Sequence, residues 1–448
     1  MRSYFIETWG CQMNQHDSEL IEGQLREQGL SAAPQAEGAD LVILNTCSVR
    51  ERPVHKILSR IGSLEKLENP PVIGVCGCVA QQEGASLLGR SARVGFVLGP
   101  GEIGRVGEAL GAVRRGVRPV LTAFDGERDH NFETISRKSP TRGMITVVEG
   151  CNEFCTFCVV PYTRGREISR PIEDILREVH TLVKSGLKEV ELLGQTINSY
   201  RDPRTGEDFA DLLGAVAAVE PLQRVRFITS HPRHFDQRTI DVLATNPKVS
   251  RYLHLPFQSG SDKILKKMHR GYTRAEYLDL LRRIRDAVPD ISLSTDVIVG
   301  FPGENEDDFR HTMAVLEEVR FAQVFAFAFS PRPRTPAARY DHQVDEETKK
   351  ARLHRLFEVT ETISEELNEL LVGTVVPVLI DGDSRRNPNH WQGRGEDNRV
   401  VNFAKTGCEN VGDILDVRIL RAGPHSLSGE AVKPGTGLPV LQSVDVVA

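Results

Sequence analysis

No stretch of this chain approaches the roughly 20 consecutive apolar residues that cross a bilayer as a helix. Its greasiest runs, such as QVFAFAF (323–329), are strand-sized. The amino terminus, MRSYFIETWGC, lacks a basic leader followed by an apolar core, so no secretory signal is read there. The expected compartment is the cytoplasm, where eight cysteines are better explained as metal ligands than as disulfides. An excess of one charge is missing too: a net charge of −6 neither favours nor excludes nucleic acid, because local patches decide that. No internal repeat is found. What is present is ordinary for a soluble globular protein, with 40% hydrophobic and 26% charged residues. At 448 residues the chain is too long for one ordinary domain.

From residue 1 to 115, short apolar runs alternate with amphipathic segments. SYFIET, DLVILNT, PVIGVCG and RVGFVLG read as strands buried on both faces, and HDSELIEGQLREQG, PVHKILSRIGSLEKL and QQEGASLLG as helices between them. The first helix has Asp17 or Ser18 as candidate N-cap and Gly29 as its stop. This rhythm predicts a doubly wound parallel sheet. Residues 116–138 gain charge, Pro and Gly and read as a linker. Over 139–371 the alternation returns, with strands expected near 143–149, 188–193, 225–229, 252–256, 292–299 and 322–329. Six βα units are short of the eight that close a complete barrel and predict a partial one. After a long helix, about Asp345 to Leu371, residues 372–434 show short strands between Gly, Asn and Asp turns, a small all-β module. Residues 435–448 read as a loose tail.

Six of the eight cysteines form two sets of three. Cys11, Cys47 and Cys78 each fall at the carboxyl end of a successive expected strand, where open α/β sheets bind ligands. Three buried thiols packing as small hydrophobes is the competing reading. Cys76 rivals Cys78 on spacing alone, but a strand interior is harder to reach. Cys408, alone in the β module, reads as inert packing. The second set is GCNEFCTFC, with Cys151, Cys155 and Cys158 at C-x₃-C-x₂-C spacing. A structural zinc site wants four ligands, usually from paired C-x₂-C units, and no second pair follows. Ferredoxin spacings differ as well. Three thiolates on a cubane cluster leave one iron with an open position.

With Phe157 in the aromatic place of C-x₃-C-x-aromatic-C, the chain resembles the radical S-adenosylmethionine superfamily. The resemblance implies that Cys151, Cys155 and Cys158 hold a 4Fe-4S cluster whose open iron chelates the cofactor's amino and carboxylate groups. It further implies cleavage to a 5′-deoxyadenosyl radical, within a partial (βα)6 barrel. TWGCQMNQHDSE, NTCSVRE, GCVAQQEG, GCNEFCTFCVVPYTRGREISRP, LPFQSGSD, TDVIVGFPGE and the β module together resemble the tRNA methylthiotransferases over nearly the whole chain. In that family a second 4Fe-4S cluster is held by three N-terminal cysteines, which match Cys11, Cys47 and Cys78 and leave Cys76 as an extra residue. The final module is similar to the family's RNA-binding TRAM domain. GCQMN and NTCSVRE look like the MiaB-type branch, which thiomethylates C2 of N6-isopentenyladenosine beside the anticodon. The branch acting on threonylcarbamoyladenosine more often reads GCKVN, and the branch acting on a ribosomal-protein aspartate GCPKN. One departure is FSPRPRTPAA, where the family tends to have Gly at the place of Arg334.

The resemblance implies two S-adenosylmethionine molecules per turnover, one giving a methyl group to sulfur and one cleaved to the radical. It also implies an external electron donor and sulfur or Fe-S assembly proteins as partners; no membrane partner is expected, and a monomer is. Cofactor-binding candidates follow the barrel strands: Phe157 in the cysteine loop, Glu191 and Gly194 in ELLGQ, Ser230 and His231, His254 and Gln258, then Ile298 and Gly300. The β module has eight Lys/Arg against nine Asp/Glu over 373–448 and is unconvincing on charge alone. Arg164 and Arg166, beyond the cysteine loop, and Arg270, in a segment with eight basic residues between Lys263 and Arg285, are candidates for RNA phosphates. Arg394, Arg399 and Phe403 are the module's candidates for shape reading and stacking. A rival of another class is an iron–sulfur RNA-binding or redox-sensing protein without turnover.

Overall fold

The computed structural model describes residues 1–48, 53–124 and 135–432. Strands β1 (Ser3–Trp9), β2 (Ser31–Ala32), β3 (Leu41–Thr46), β4 (Val72–Gly77), β5 (Val94–Leu98) and β6 (Val120–Leu121) form one parallel sheet in the order β2-β1-β3-β4-β5-β6. Strands such as Leu41–Thr46 are buried along their whole length because helices cover both faces. The first helix is Gln12–Glu27, with Cys11 itself at the N-cap. It starts earlier than Asp17 or Ser18 would place it, because the chain turns directly out of β1; Asp17 and Ser18 are buried on its inner face. The QQEGASLLG segment is two short helices, Cys78–Glu83 and Ser86–Arg90, parted at Gly84. The expected linker is also less of a spacer. Val120 and Leu121 pair with β5, Ile135 packs against the first domain, and Arg137 pairs with Glu19 and Glu178. Two residues of strand are too short a signal to show through Pro, Gly and charge.

The central region contains β7 (Arg142–Thr146), then a two-stranded antiparallel pair, β8 (Val148–Glu149) with β9 (Ile168–Ser169). β10 (Glu189–Leu193), β11 (Arg224–Phe227), β12 (Tyr252–His254), β13 (Ser292–Val299) and β14 (Gln323–Ala328) follow, all parallel to β7. β7-β10-β11 and β12-β13-β14 are joined through a Val225–Val249 bridge, giving six strands in sequence order and an unclosed barrel. Alternation explains the two faces: Val190 and Leu192 enter the core under the helices, while Glu189 and Glu191 point inward. Helix Glu346–Glu369 leads to β15 (Val375–Asp383), β16 (His390–Arg394), β17 (Val400–Ala404), β18 (Ile414–Ala422) and β19 (Leu427–Ala431), which close a barrel in the order β15-β16-β17-β19-β18. Arg50 and Glu51 of NTCSVRE and the tail 435–448 lie outside the described residues.

Candidate metal centres and cofactor site

The order β2-β1-β3-β4-β5 reverses direction between β1 and β3, the point where doubly wound sheets bind ligands beyond their carboxyl ends. Cys11, Cys47 and Cys78 sit there, just past the ends of β1, β3 and β4. Gly77 makes the last turn: at φ +87° a Cβ would stand 2.5 Å from Asn45 Oδ1. The Cys11 thiol donates to Asn14 Oδ1 at 3.4 Å, and Asn14 in turn bonds Asn45. Cys47 lies between the other two, in hydrogen-bond contact with each. That contact, with the Arg164 guanidinium nearby, holds the Cys11 thiol down to about 5 and the Cys78 thiol down to about 6. Cys76 faces elsewhere. It packs with Leu41, Phe96 and Leu98, and burial pushes its thiol well up. Cys408 is exposed rather than packed, because it sits beyond the end of β17.

The second triad hangs from a loop after β8. Cys151 N–H donates to Gly165 O at 3.2 Å, its Sγ meets Thr196 Oγ1 at 3.2 Å, and Glu153 N–H donates to that Sγ at 3.4 Å. Cys155 Sγ accepts from Arg270 Nη1 at 3.4 Å, and Cys158 N–H donates to Cys155 O at 2.9 Å. Burial raises the Cys151 thiol and pushes Cys158 up to about 12. Thr156 ties the loop to the distant helix Asp262–Met268 through Lys267 O at 2.8 Å. The two domains meet at a small apolar contact: Met13 with Cys11 from the first domain, Met144, Leu193 and Ile228 from the barrel. Thr146 Oγ1 and His16 Nδ1, 3.0 Å apart, make the same junction polar beside it.

The strand-end candidates face the lumen. Glu191 is buried 3.6 Å from Arg142, and Gly194 fits tightly over Ile197. His254 Nδ1 is 2.9 Å from Ser294 Oγ, its Nε2 is 3.5 Å from Asp296, and its ring stands edge-on to Phe325. Phe157 and Ile298 share the cluster of Phe301 and Phe329. Gly300 N–H donates to Glu304 Oε1 at 2.8 Å, and Glu304 pairs with Arg352 at 2.7 Å, so the buried acid of PGE staples this turn. Among the described residues, Gln195 Oε1, Ser230 Oγ and Gln258 Oε1 are buried without a hydrogen-bond partner, while Glu191 Oε2 and His231 Nε2 have only longer contacts, to Arg142 at 3.6 Å and Glu153 at 3.8 Å. Orphaned polar atoms at successive strand ends suit a polar ligand that would complete them. His231 is kept neutral, pushed down to about 2 by burial and by Arg270. Glu153 lies 2.6 Å from His234, whose hydrogen bond lowers its carboxyl.

Residues 145–316 match the radical SAM superfamily, residues 3–99 the uncharacterized protein family UPF0004 and residues 369–432 the TRAM domain. The tRNA-2-methylthio-N(6)-dimethylallyladenosine synthase of Alkalilimnicola ehrlichii is 45% identical over 95% of this chain and 96% of its own length. Its counterparts in Ralstonia nicotianae and Bdellovibrio bacteriovorus are 43% and 42% identical over 97% and 96% of this chain, covering 98% and 96% of their own lengths. This chain belongs to the tRNA methylthiotransferase family of radical SAM enzymes. It is thus a transferase. In fold it is also similar to the radical S-adenosylmethionine methyltransferase TsrM of Kitasatospora setae, solved with a SAM analogue and tryptophan (TM-score 0.54, 16% identity, 75% of each chain).

Membership brings S-adenosylmethionine and a four-iron cluster as family cofactors, and the thiol donors and orphaned polar atoms fit both. The RNA candidates of this methylthiotransferase fare differently. Arg164 is 2% exposed and bonds Asp17 Oδ2 at 2.5 Å, so it is an interior ion partner and not a phosphate ligand. Arg270 is buried against Cys155, Pro256 O and Tyr272. Phe403 is fully buried in the β-barrel core and has no face to stack on. Arg399 pairs with Asp397 at 2.6 Å and Asn368 at 2.7 Å, and Arg394 bonds Asn398 O at 3.1 Å. The GRGEDN turn itself docks under the partial barrel: Arg224 donates to Arg394 O, and Arg226, anchored by Glu189, donates to Gly395 O and Glu396 O. Arg166 alone of the six stays exposed, over the Phe154 ring at 4.4 Å, with Lys266 exposed on the helix beside the loop. A sign for Arg164 was available: Asp17 shares a helix stripe with Met13, Leu20 and Ile21, and an acid there requires a partner.

Proposed function

We propose that this chain adds a methylthio group to C2 of N6-dimethylallyladenosine beside the anticodon of tRNA. The observation that carries the reading is the presence of two three-cysteine sites, built by two domains that meet at an apolar contact including Cys11. The names of the full-length relatives support the substrate. Each site offers three thiols and no fourth cysteine among the described residues, so each would leave one iron of a 4Fe-4S cluster open. When bound, the cluster at Cys151, Cys155 and Cys158 supplies the electron that cleaves S-adenosylmethionine, and the one at Cys11, Cys47 and Cys78 holds the sulfur to be transferred. Adenine C2 carries no acidic proton, which is why acid–base catalysis by side chains does not suffice.

The protein's share is placement. Glu191, Ser230, His254 and Gln258 offer polar groups at the lumen, Phe157 and Ile298 an apolar wall, and the Gly300 turn a fixed edge. Cys151 and Cys155 are buried, which shields their sulfurs from water, while Asn152 on the same loop is exposed. Two S-adenosylmethionine molecules are used per turnover, with an external electron donor and sulfur or Fe-S assembly proteins as partners. Arg166 and Lys266 form a cationic rim for the anticodon loop's phosphates. No described helix is long and apolar enough to cross a membrane. Nucleoside mass spectrometry of tRNA from a strain lacking the gene tests the reading. Persistence of 2-methylthio-N6-dimethylallyladenosine would refute the substrate. Anaerobic reconstitution with dithionite tests the chemistry, because a protein without turnover yields no 5′-deoxyadenosine.

A further inference from the structure

We infer that Arg164 is a positioning residue for the cysteine site of the N-terminal sheet, a counter-charge lent by the barrel that sets how readily the cluster there accepts an electron. This rests on the reading of Cys11, Cys47 and Cys78 as ligands of one cluster. Arg164 ends the short helix Val160–Thr163, just beyond Cys158, yet its guanidinium is spent on the other domain. Nη2 bonds Asp17 Oδ2 at 2.5 Å, Nη1 stands 3.8 Å from Glu149 Oε2, the helix that Arg164 ends packs against helix Cys78–Glu83, and its charge lowers the Cys78 and Cys11 thiols. At 2% exposure its charge is poorly screened, so the neighbouring sulfurs feel it strongly.

The backbone around Arg164 is locked to the other triad. The carbonyl of Gly165 accepts the Cys151 N–H, and at Gly150 (φ +74°) a Cβ would stand 2.1 Å from Arg166 O, so only glycine lets the two segments lie this close. One short stretch, 164–166, therefore abuts both cysteine sites. A positive charge beside a cluster favours its more reduced, more negative state, and Asp17 partly offsets that charge. Arg164 and Asp17 should thus shift the cluster's potential in opposite directions, which mere structural support would not do.

The test uses full-length protein reconstituted with iron and sulfide, carrying Cys151→Ala, Cys155→Ala and Cys158→Ala so that only the N-terminal cluster reports. A redox titration followed by electron paramagnetic resonance gives its midpoint. In Arg164→Met the reduction equilibrium should fall at least about tenfold, roughly 59 mV for one electron. Arg164→Lys, which keeps the charge, should recover most of that shift, and Asp17→Asn should move the midpoint upward. An unchanged midpoint in Arg164→Met at normal iron content would overturn the inference. If Arg164→Met does not fold, Asp17→Asn decides alone: a rise supports it and no change overturns it. A triple-cysteine variant that binds no iron would bring down the cluster reading itself, and the inference with it.

Discussion

The two cysteine sites reach the same ligand set by opposite routes. The barrel site takes all three thiols from one loop, so it needs little more than that loop's conformation and a strand end beneath it. The N-terminal site takes one thiol from each of three strand ends, so it exists only once the sheet has formed in register. Their electrostatics differ as well. Cys11 and Cys78 are held low by Cys47 and a buried arginine that is itself paired with acids, while burial raises Cys151 and Cys158 and the arginine beside Cys155 makes no ion pair among the described residues. A distributed site thus arrives with its charge prearranged, whereas the local site relies on metal to displace its protons.

Independence of the two sites is the sharpest consequence. Cys11→Ala or Cys78→Ala should remove one whole cluster and all methylthio product, yet leave 5′-deoxyadenosine formation measurable in an anaerobic assay. Cys155→Ala should do the converse, ending 5′-deoxyadenosine formation while the N-terminal iron remains. If Cys11→Ala also ends cofactor cleavage, the sites are one functional unit and the contrast fails.

The buried arginines should differ in what their loss costs the metal-free fold. Arg164→Met leaves Asp17 buried without its cation, a change typically worth about 3–5 kcal/mol. Arg270→Met removes hydrogen bonds to Pro256 O and the Tyr272 hydroxyl but strands no charge, a loss of about 1–3 kcal/mol. Urea denaturation of the two metal-free variants measures the order. A larger loss for Arg270→Met would show that the acid partners do not distinguish the sites. Cys76→Ala should cost about 1 kcal/mol as a small cavity beside Phe96 and Leu98, with iron content unchanged. Loss of a cluster in that variant would move a ligand from Cys78 to Cys76.

What the sequence revealed follows the same division. Spacing within a loop is written in consecutive residues, so GCNEFCTFC was legible at once. The N-terminal triad became legible only after strands were assigned and their carboxyl ends compared. The charged residues were misread wherever their partner is distant in sequence. Nothing near Arg164 announces Asp17, and nothing in GRGEDN announces that Arg224 and Arg226 will donate to its carbonyls. Phe403 was misassigned for a related reason: alternation along a short strand shows two faces without saying which one closes inward in a small barrel.

Arg334 offers the smallest and most local contrast, between a glycine the family tends to use and the residue present. Residues 332–335 form a turn closed by Thr335 N–H donating to Arg332 O at 3.2 Å, with Pro333 second and Arg334 third at φ +69°. Pro followed by positive φ is the type II pattern, whose third position favours glycine. Arginine pays a left-handed penalty there, but glycine would lose more backbone entropy on folding, so the two terms largely cancel. Arg334→Gly should therefore change stability by less than about 1 kcal/mol, toward stabilisation if the left-handed term is the larger. The side chain is exposed, and the contact that matters beyond the turn, Ala337 N–H to Thr156 O at 2.9 Å, is made by backbone. Cofactor cleavage should consequently be unchanged in the variant. A fall in 5′-deoxyadenosine yield with a normal melting temperature would show instead that the Arg334 side chain acts on the cysteine loop.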